Sequence, residues 1–354
     1  MRFLCLHGKG TSAAIFRSQT ASFRLRLDPS FEFDFRDAPF ASTPAAGIDL
    51  FYPPPYYSFW EGTAVSSIRA AHQWLLDLID RDGPYDGVML FSQGCALISS
   101  FLLYHMAERP DDPIPFKTAI FICGGVGLPV VEALGIPVSQ EAKDWDERTR
   151  HELQAQAAAI ELGQDRWTGK PLASLGGASP SPSPSLSNGR ATSTPTPPPP
   201  SSGTRLSPAA TNNGFFSLSN GNSGSGTATP VLENTTIPKS WHGVGMTRDG
   251  EAPPGATRNK IIDDMAAQAA LDPTNVFGFD CTAIPQRLII PIPTVHIYGS
   301  KDPRYPASLQ LAQFCDPSVR RMYDHEGGHD VPRNKFVSES IAELVKWTRD
   351  ITQS

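Results

Sequence analysis

Apolar and polar positions along this chain switch repeatedly between the two-residue period of a strand and the 3.6-residue period of a helix. Residues 1–7, MRFLCLH, form an apolar strand-like run, and helical spacing follows over 13–27 with Ala14, Phe16 and Phe23 on one face. Phe31–Phe35, FEFDF, alternates strictly, and residues 64–79 return to the helical period. Gly87–Phe91, GVMLF, is apolar enough for a strand covered on both faces. From Ala96 the apolar positions Leu97, Phe101, Leu102 and Met106 mark a helix over 94–106. A strand is expected within 116–125, and helix over much of 130–165, above all 141–162, where Gln, Glu and Ala dominate. Further on, the pattern predicts helices at 260–271, 308–315 and 335–348, and strands at 291–299 and 319–324. This succession predicts an α/β fold: a mostly parallel central sheet with helices on both faces, and a ligand site at the carboxyl ends of its strands.

One segment breaks the pattern. Residues 172–254 are dominated by Ser, Pro, Gly, Thr and Asn, with little apolar clustering beyond Phe215-Phe216. Such a composition does not bury enough surface to offset the entropy of ordering, so the segment is expected to be a disordered, low-complexity insertion. Neither flank completes a fold alone. Residues 1–171 and 255–354 are therefore expected to be two parts of one domain, since a long insertion costs little when its ends meet.

Composition narrows the function. With 40 % apolar residues in 354, a large core is available. The formal net charge of −6 offers no general basic field, which argues against a nucleic-acid partner. The start of the chain lacks the tripartite pattern of a secretion signal, and no apolar run is long enough to span a bilayer. A cytoplasmic location is expected. The cysteines, Cys5, Cys95, Cys123, Cys281 and Cys315, are scattered without metal-site spacing and read as small buried hydrophobes in a reducing compartment. No metal is expected.

In a parallel sheet the informative polar residues are those just past strand ends. Here they are His7-Gly8-Lys9, Ser92, Asp302 and His329. Ser92 falls on the short corner Ser92-Gln93-Gly94 between a buried strand and a helix, which throws its hydroxyl above the sheet edge. Serine, then acid, then histidine is the triad order of α/β-hydrolases. A serine hydroxyl is a weak nucleophile until a base takes its proton, and histidine suits that exchange near neutrality. A carboxylate then fixes the imidazole tautomer. Ser92 is thus the expected nucleophile, His329 the base and Asp302 the orienting acid. The backbone N–H groups of Gln93 and Lys9 are the expected oxyanion donors. Asp280, Asp324 and Asp330 are rival acids, and His296 and His325 rival histidines; His296 reads as core. His325 lies against its strand, so His325→Ala is expected to be mild. Singly, Ser92 could be a helix cap, and Asp302 and His329 loop residues. The usual elbow, Gly-x-Ser-x-Gly, has leucine at position 90 here, so small neighbours such as Cys95 and Ala96 are expected to supply the missing room.

RFLCLHGKGTSAAIF, FEFDFRDAPF, YYSFW, YDGVMLFSQGCAL, YGSKDP and HEGGHDVP together resemble the fungal family of serine hydrolases, the α/β-hydrolases that also include the ovarian-cancer-gene-2-like proteins. The resemblance covers about residues 1–130 and 285–350. It implies esterase or thioesterase activity without cofactors and an acyl substrate that is small or carrier-bound. Some fungal members that resemble this chain release or trim acyl chains on polyketide synthases, so a place in secondary metabolism with a polyketide synthase as partner is an expectation. A peptidase or lactonase with the same triad, or a hydrolase-fold binding protein without turnover, are the alternatives.

The segment 48–62, IDLFYPPPYYSFWEG, is too irregular for a helix and too apolar to be left open. Phe51, Tyr52, Tyr56, Tyr57, Phe59 and Trp60 are therefore expected to cover a medium or long acyl group, with Phe40 and residues 126–138 completing the pocket. The competing reading is that the loop packs only the core edge.

Overall fold

The computed structural model describes residues 1–62, 64–163 and 272–353. The expected insertion at 172–254 and the expected helix at 260–271 lie outside them.

Six strands form one parallel sheet. In chain order they are β1 (Arg2–Leu6), β2 (Glu32–Arg36), β5 (Gly87–Phe91), β6 (Thr118–Ile122), β9 (Thr294–Tyr298) and β10 (Arg320–Asp324). Two short antiparallel ribbons supply the others: β3 (Phe40–Ala41) with β4 (Tyr57–Ser58), and β7 (Asn275–Val276) with β8 (Phe279–Asp280). The sheet order is β10-β9-β6-β5-β1-β2. β2 thus lies on one side of β1, and β5, the next strand of the sheet in sequence, on the other. That reversal opens a crevice above the carboxyl ends of β1 and β5, where ligands bind in open α/β sheets.

Every side chain of β5 and β6 is buried, because helices cover both faces. The helices are α1 (Ala13–Gln19), α2 (Ala21–Arg24), α3 (Val65–Asp82), α4 (Gln93–Glu108), α5 (Leu128–Ala133), α6 (Gln140–Glu161), α7 (Tyr305–Gln313) and α8 (Lys335–Gln353). Leu4, Leu6, Val88 and Leu90 face a core shared with α3 and α4. Phe3, Cys5, Met89 and Phe91 alternate to the opposite face, against α1 and α8. The helix expected over 13–27 is two short ones: Thr20, wholly buried, caps α1 and hydrogen-bonds the Phe16 carbonyl through its hydroxyl. Beyond α6, the chain packs Phe277 onto Trp145 at 5.0 Å between ring centroids, so 275–280 and α6 share one apolar cluster.

Candidate active site

β5 ends at Phe91 and α4 begins at Gln93, leaving Ser92 as the entire corner. Its φ of 50° and ψ of −108° lie in a region that L-residues occupy only under constraint. The constraint is visible: the Ser92 N–H is held by the Ile122 carbonyl of β6 (3.1 Å), while the Ser92 carbonyl accepts from Cys95 (3.0 Å). Room for this corner comes from three glycines. A Cβ on Gly8 would sit 3.2 Å from the Ser92 Cβ, one on Gly94 2.5 Å from the Leu6 carbonyl, and one on Gly124 2.2 Å from the Cys95 Cβ. Leu90 is buried in the helix-facing core and does not open the elbow. The space expected from Cys95 and Ala96 is supplied by Gly8, Gly94 and Gly124.

Above the corner, His329 places Nε2 at 2.9 Å from the Ser92 hydroxyl and Nδ1 at 2.8 Å from Asp302 Oδ2. With Nδ1–H donating to the carboxylate, Nε2 is free to accept from the serine. Asp302 is wholly buried on the loop after β9, and its Oδ1 accepts the Arg304 backbone N–H at 2.7 Å. The Arg304 side chain reaches α6, donating to Asp146 Oδ1 (2.6 Å) and to the Thr149 hydroxyl (2.9 Å). The carboxylate is therefore fixed from both sides.

Beside the serine, the Gln93 N–H opens α4, where the helix dipole favours negative charge. The Lys9 N–H lies on the loop after β1, and His7 fixes its peptide. Its Nε2 accepts from the Ala38 N–H (3.1 Å), so Nδ1 bears the proton and donates to the Gly8 carbonyl (2.7 Å). The Thr11 hydroxyl donates to that same carbonyl (2.7 Å). A trans peptide holds its N–H opposite its carbonyl, so pinning Gly8 directs the Lys9 N–H the other way. Burial pushes the His7 pKa down, which keeps the ring neutral in this role. The Gln93 side chain braces the facing loop: its Oε1 accepts from the Phe59 N–H and its Nε2 donates to the Trp60 carbonyl, both at 3.0 Å.

The rival residues have other tasks. Asp324 Oδ1 accepts from the Ser300 and Glu326 N–H groups, tying the acid and histidine loops together. Asp280 caps a short 3₁₀ turn by accepting from the Thr282 N–H, and His296 is buried in β9, stacked on Phe121 at 5.2 Å.

With this geometry established, comparison with known proteins identifies the family. The serine hydrolase (FSH1) family matches residues 1–131 and 267–341. The chain belongs to that family. Esterase alnB of Emericella nidulans is 26 % identical over 348 residues, covering 98 % of this chain and 95 % of the relative. Hydrolase FUB4 of Fusarium oxysporum f. sp. lycopersici is 36 % identical over 122 residues, 34 % of this chain and 46 % of the relative. Esterase FPY3 of Fusarium mangiferae is 34 % identical over 129 residues, 36 % and 58 %. The six-stranded parallel sheet with helices on both faces is the α/β architecture expected from the sequence. Among the described residues no helix is long and apolar enough to cross a membrane.

The aromatic segment of this serine hydrolase divides into two groups. Phe59 is wholly buried between His7 (5.2 Å) and Trp74 (5.4 Å), and Trp60 is only 8 % exposed in the main core. Tyr56 is buried, and its hydroxyl donates to the Tyr52 carbonyl; the Tyr52 hydroxyl meets Ser18 and Arg333. Phe51 is 78 % exposed, Phe40 exposed and Tyr57 half-buried. Within residues 126–138, Val126, Leu128, Val130, Val131 and Ile136 are core. Periodicity could not separate the two groups, because the segment has no regular period. A shallow cleft of about 450 Å³ lies beside the loop after β1, lined by Lys9, Ala41, Ser42, Thr43 and Glu61. The core position of Trp60 predicts that Trp60→Ala lowers unfolding free energy by about 3–5 kcal/mol. Chemical denaturation measures this; a loss below about 1 kcal/mol would place the indole outside the core.

Proposed function

We propose that this serine hydrolase cleaves carboxylic esters and thioesters with Ser92 as nucleophile, His329 as base and then acid, and Asp302 as the group that orients His329. The observation that carries this reading is the unbroken hydrogen-bond chain from Ser92 through His329 to Asp302 on a strained strand-to-helix corner. Ser92 Oγ attacks the acyl carbonyl as Nε2 takes its proton, and the carbonyl oxygen acquires negative charge between the Gln93 and Lys9 N–H groups. Collapse of this intermediate expels the leaving group, which receives the proton from Nε2 when it is an alkoxide. A thiolate leaves readily without that help, so a carrier-bound thioester suits the site as well as a small-molecule ester. Once Nε2 has given up its proton, to the leaving group or, after a thiolate departs, to solvent, the neutral imidazole deprotonates water, which attacks the acyl-serine carbonyl; collapse releases the acid and returns the proton to Ser92.

The acyl group is proposed to lie along the aromatic rings that keep solvent-facing area, Phe40, Phe51 and Tyr57, since Phe59 and Trp60 are committed to the core. Ser42, Thr43 and the Lys9–Glu61 ion pair line the cleft beside the loop after β1 and are proposed to face the oxygenated part of the substrate. A series of p-nitrophenyl and coenzyme-A acyl esters tests this. kcat/KM is expected to rise by about fourfold per added methylene, from about 0.8 kcal/mol of burial each, until the surface is covered. Tyr57→Ala should flatten that rise while leaving acetyl-ester turnover nearly intact. A profile flat in the wild type would place the acyl group elsewhere.

A further inference from the structure

His325, four residues before the triad histidine, is 8 % exposed and lies where three strand ends meet. Its backbone N–H is held by the Tyr298 carbonyl at the end of β9 (2.8 Å). Its ring abuts Gly299, where any Cβ would come within 2.8 Å of Cε1. Nδ1 accepts from the Gly327 N–H at 3.2 Å, inside the histidine loop. A ring nitrogen that accepts leaves the proton on the other one, so Nε2–H points at Cys123 Sγ, 3.5 Å away just past β6. The Cys123 S–H in turn donates to the Asp330 carbonyl at 3.4 Å, the residue directly after His329. Gly327 closes the circuit, its carbonyl accepting from the Lys301 N–H of the acid loop (3.0 Å).

The polarity of these bonds is consistent in one sense only, with both side chains neutral. Burial lowers the His325 pKa, although Asp330, Asp324 and Asp302 oppose it, and burial raises the Cys123 thiol well above its usual range. The pair is therefore not a thiolate–imidazolium dyad. Cys123 and Gly124 also abut the nucleophile elbow, since a Gly124 Cβ would sit 2.9 Å from the Ser92 carbonyl. The circuit touches the loops carrying all three residues of the candidate triad, and Cys123 Sγ lies within 4.8 Å of an Asp302 carboxylate oxygen and a His329 ring nitrogen, beyond hydrogen-bond reach of Ser92 in any bond the structure shows.

We infer that His325 and Cys123 are positioning residues: a neutral hydrogen-bonded brace, Gly327 N–H to His325 to Cys123 to the Asp330 carbonyl, that holds His329 in register with Ser92. This replaces the expectation that loss of His325 is mild, and it rests on the reading of Ser92 and His329 given above. A brace failure displaces the imidazole without removing it, and misplacement of about 1 Å costs on the order of 10²-fold in rate.

The test is turnover per active site. Wild type, His325→Ala, His325→Asn, Cys123→Ala and Cys123→Ser are titrated to completion with a fluorophosphonate, and kcat for p-nitrophenyl butyrate is divided by the titrated serine. His325→Ala is expected to lose about 10²-fold in kcat per site with KM changed less than about threefold. His325→Asn should recover part of that, because its carboxamide oxygen can accept from Gly327. Cys123→Ala should fall further than Cys123→Ser, which keeps a donor. Should His325→Ala not fold, His325→Asn and the two Cys123 variants carry the same comparison. A merely structural pair would lower the titratable fraction and leave kcat per site at the wild-type value, and that result would overturn the inference. A wild type that is not titrated at Ser92 at all would overturn the triad reading and the positioning role with it.

Discussion

His329→Ala is expected to lower kcat for an activated ester by about 10⁴-fold or more, with KM changed little. The magnitude follows from how the triad acts as a unit: without Nε2 at 2.9 Å, the Ser92 hydroxyl keeps its proton and is a poor nucleophile. The residual rate is the part due to the oxyanion donors and to binding, which the substitution leaves in place. The ring also packs on Phe91 at 5.2 Å between centroids and pairs with the wholly buried Asp302 carboxylate, so its loss is expected to lower unfolding free energy as well. Steady-state kinetics alongside a denaturation curve separates the two effects. A fall of less than tenfold would mean that another group, His325 being nearest in sequence, takes the serine proton.

The second large effect comes from a nearly isosteric change. Asp302→Asn is expected to cost on the order of 10⁴-fold in kcat, and the reason lies in Arg304. Its backbone N–H points at Oδ1 from 2.7 Å and requires an acceptor there. An asparagine must therefore turn its carbonyl oxygen toward Arg304 and its NH₂ toward His329. That NH₂ is a donor, so Nδ1 of His329 becomes the acceptor and the ring proton moves to Nε2, the nitrogen that must be empty to receive the proton of Ser92. The site would be intact in shape and wrong in tautomer. Raising the pH cannot restore the carboxylate, so the loss should persist across the neutral range. Asp302→Glu, which keeps the charge but lengthens the arm, should recover part of the rate; an Asp302→Asn enzyme within tenfold of wild type would show that the carboxylate is not needed to set the tautomer.

The sheet was largely legible because a strand buried on both faces reads as an apolar run, as GVMLF does over Gly87–Phe91. The residues past the ends of β1, β5, β9 and β10 could then be placed on one sheet edge by topology alone, which gave the Ser92, Asp302 and His329 set. What periodicity could not show were roles that depend on backbone direction. The part played by His7 rests on which ring nitrogen faces the Ala38 N–H and which the Gly8 carbonyl, and that of Arg304 on an N–H two residues past an aspartate. An HG pair followed by threonine three residues after the glycine is a sequence trace of the first; the second leaves none. The aromatic segment was less legible for a related reason. Its rings are distinguished only by tertiary packing, with Phe59 and Trp60 drawn into the core by bonds from Gln93, and Phe51 left outside.

The most direct measurement of the central claim is covalent capture of the nucleophile. The wild-type chain is incubated with a fluorophosphonate, digested, and the modified residue located by mass spectrometry. The proposed Ser92–His329–Asp302 triad predicts a single phosphonylated site, Ser92, with labelling absent in Ser92→Ala and slowed by several orders of magnitude in His329→Ala. Folded wild-type protein that stays unlabelled, or that is labelled at another serine while Ser92→Ala retains full esterase activity, would contradict it.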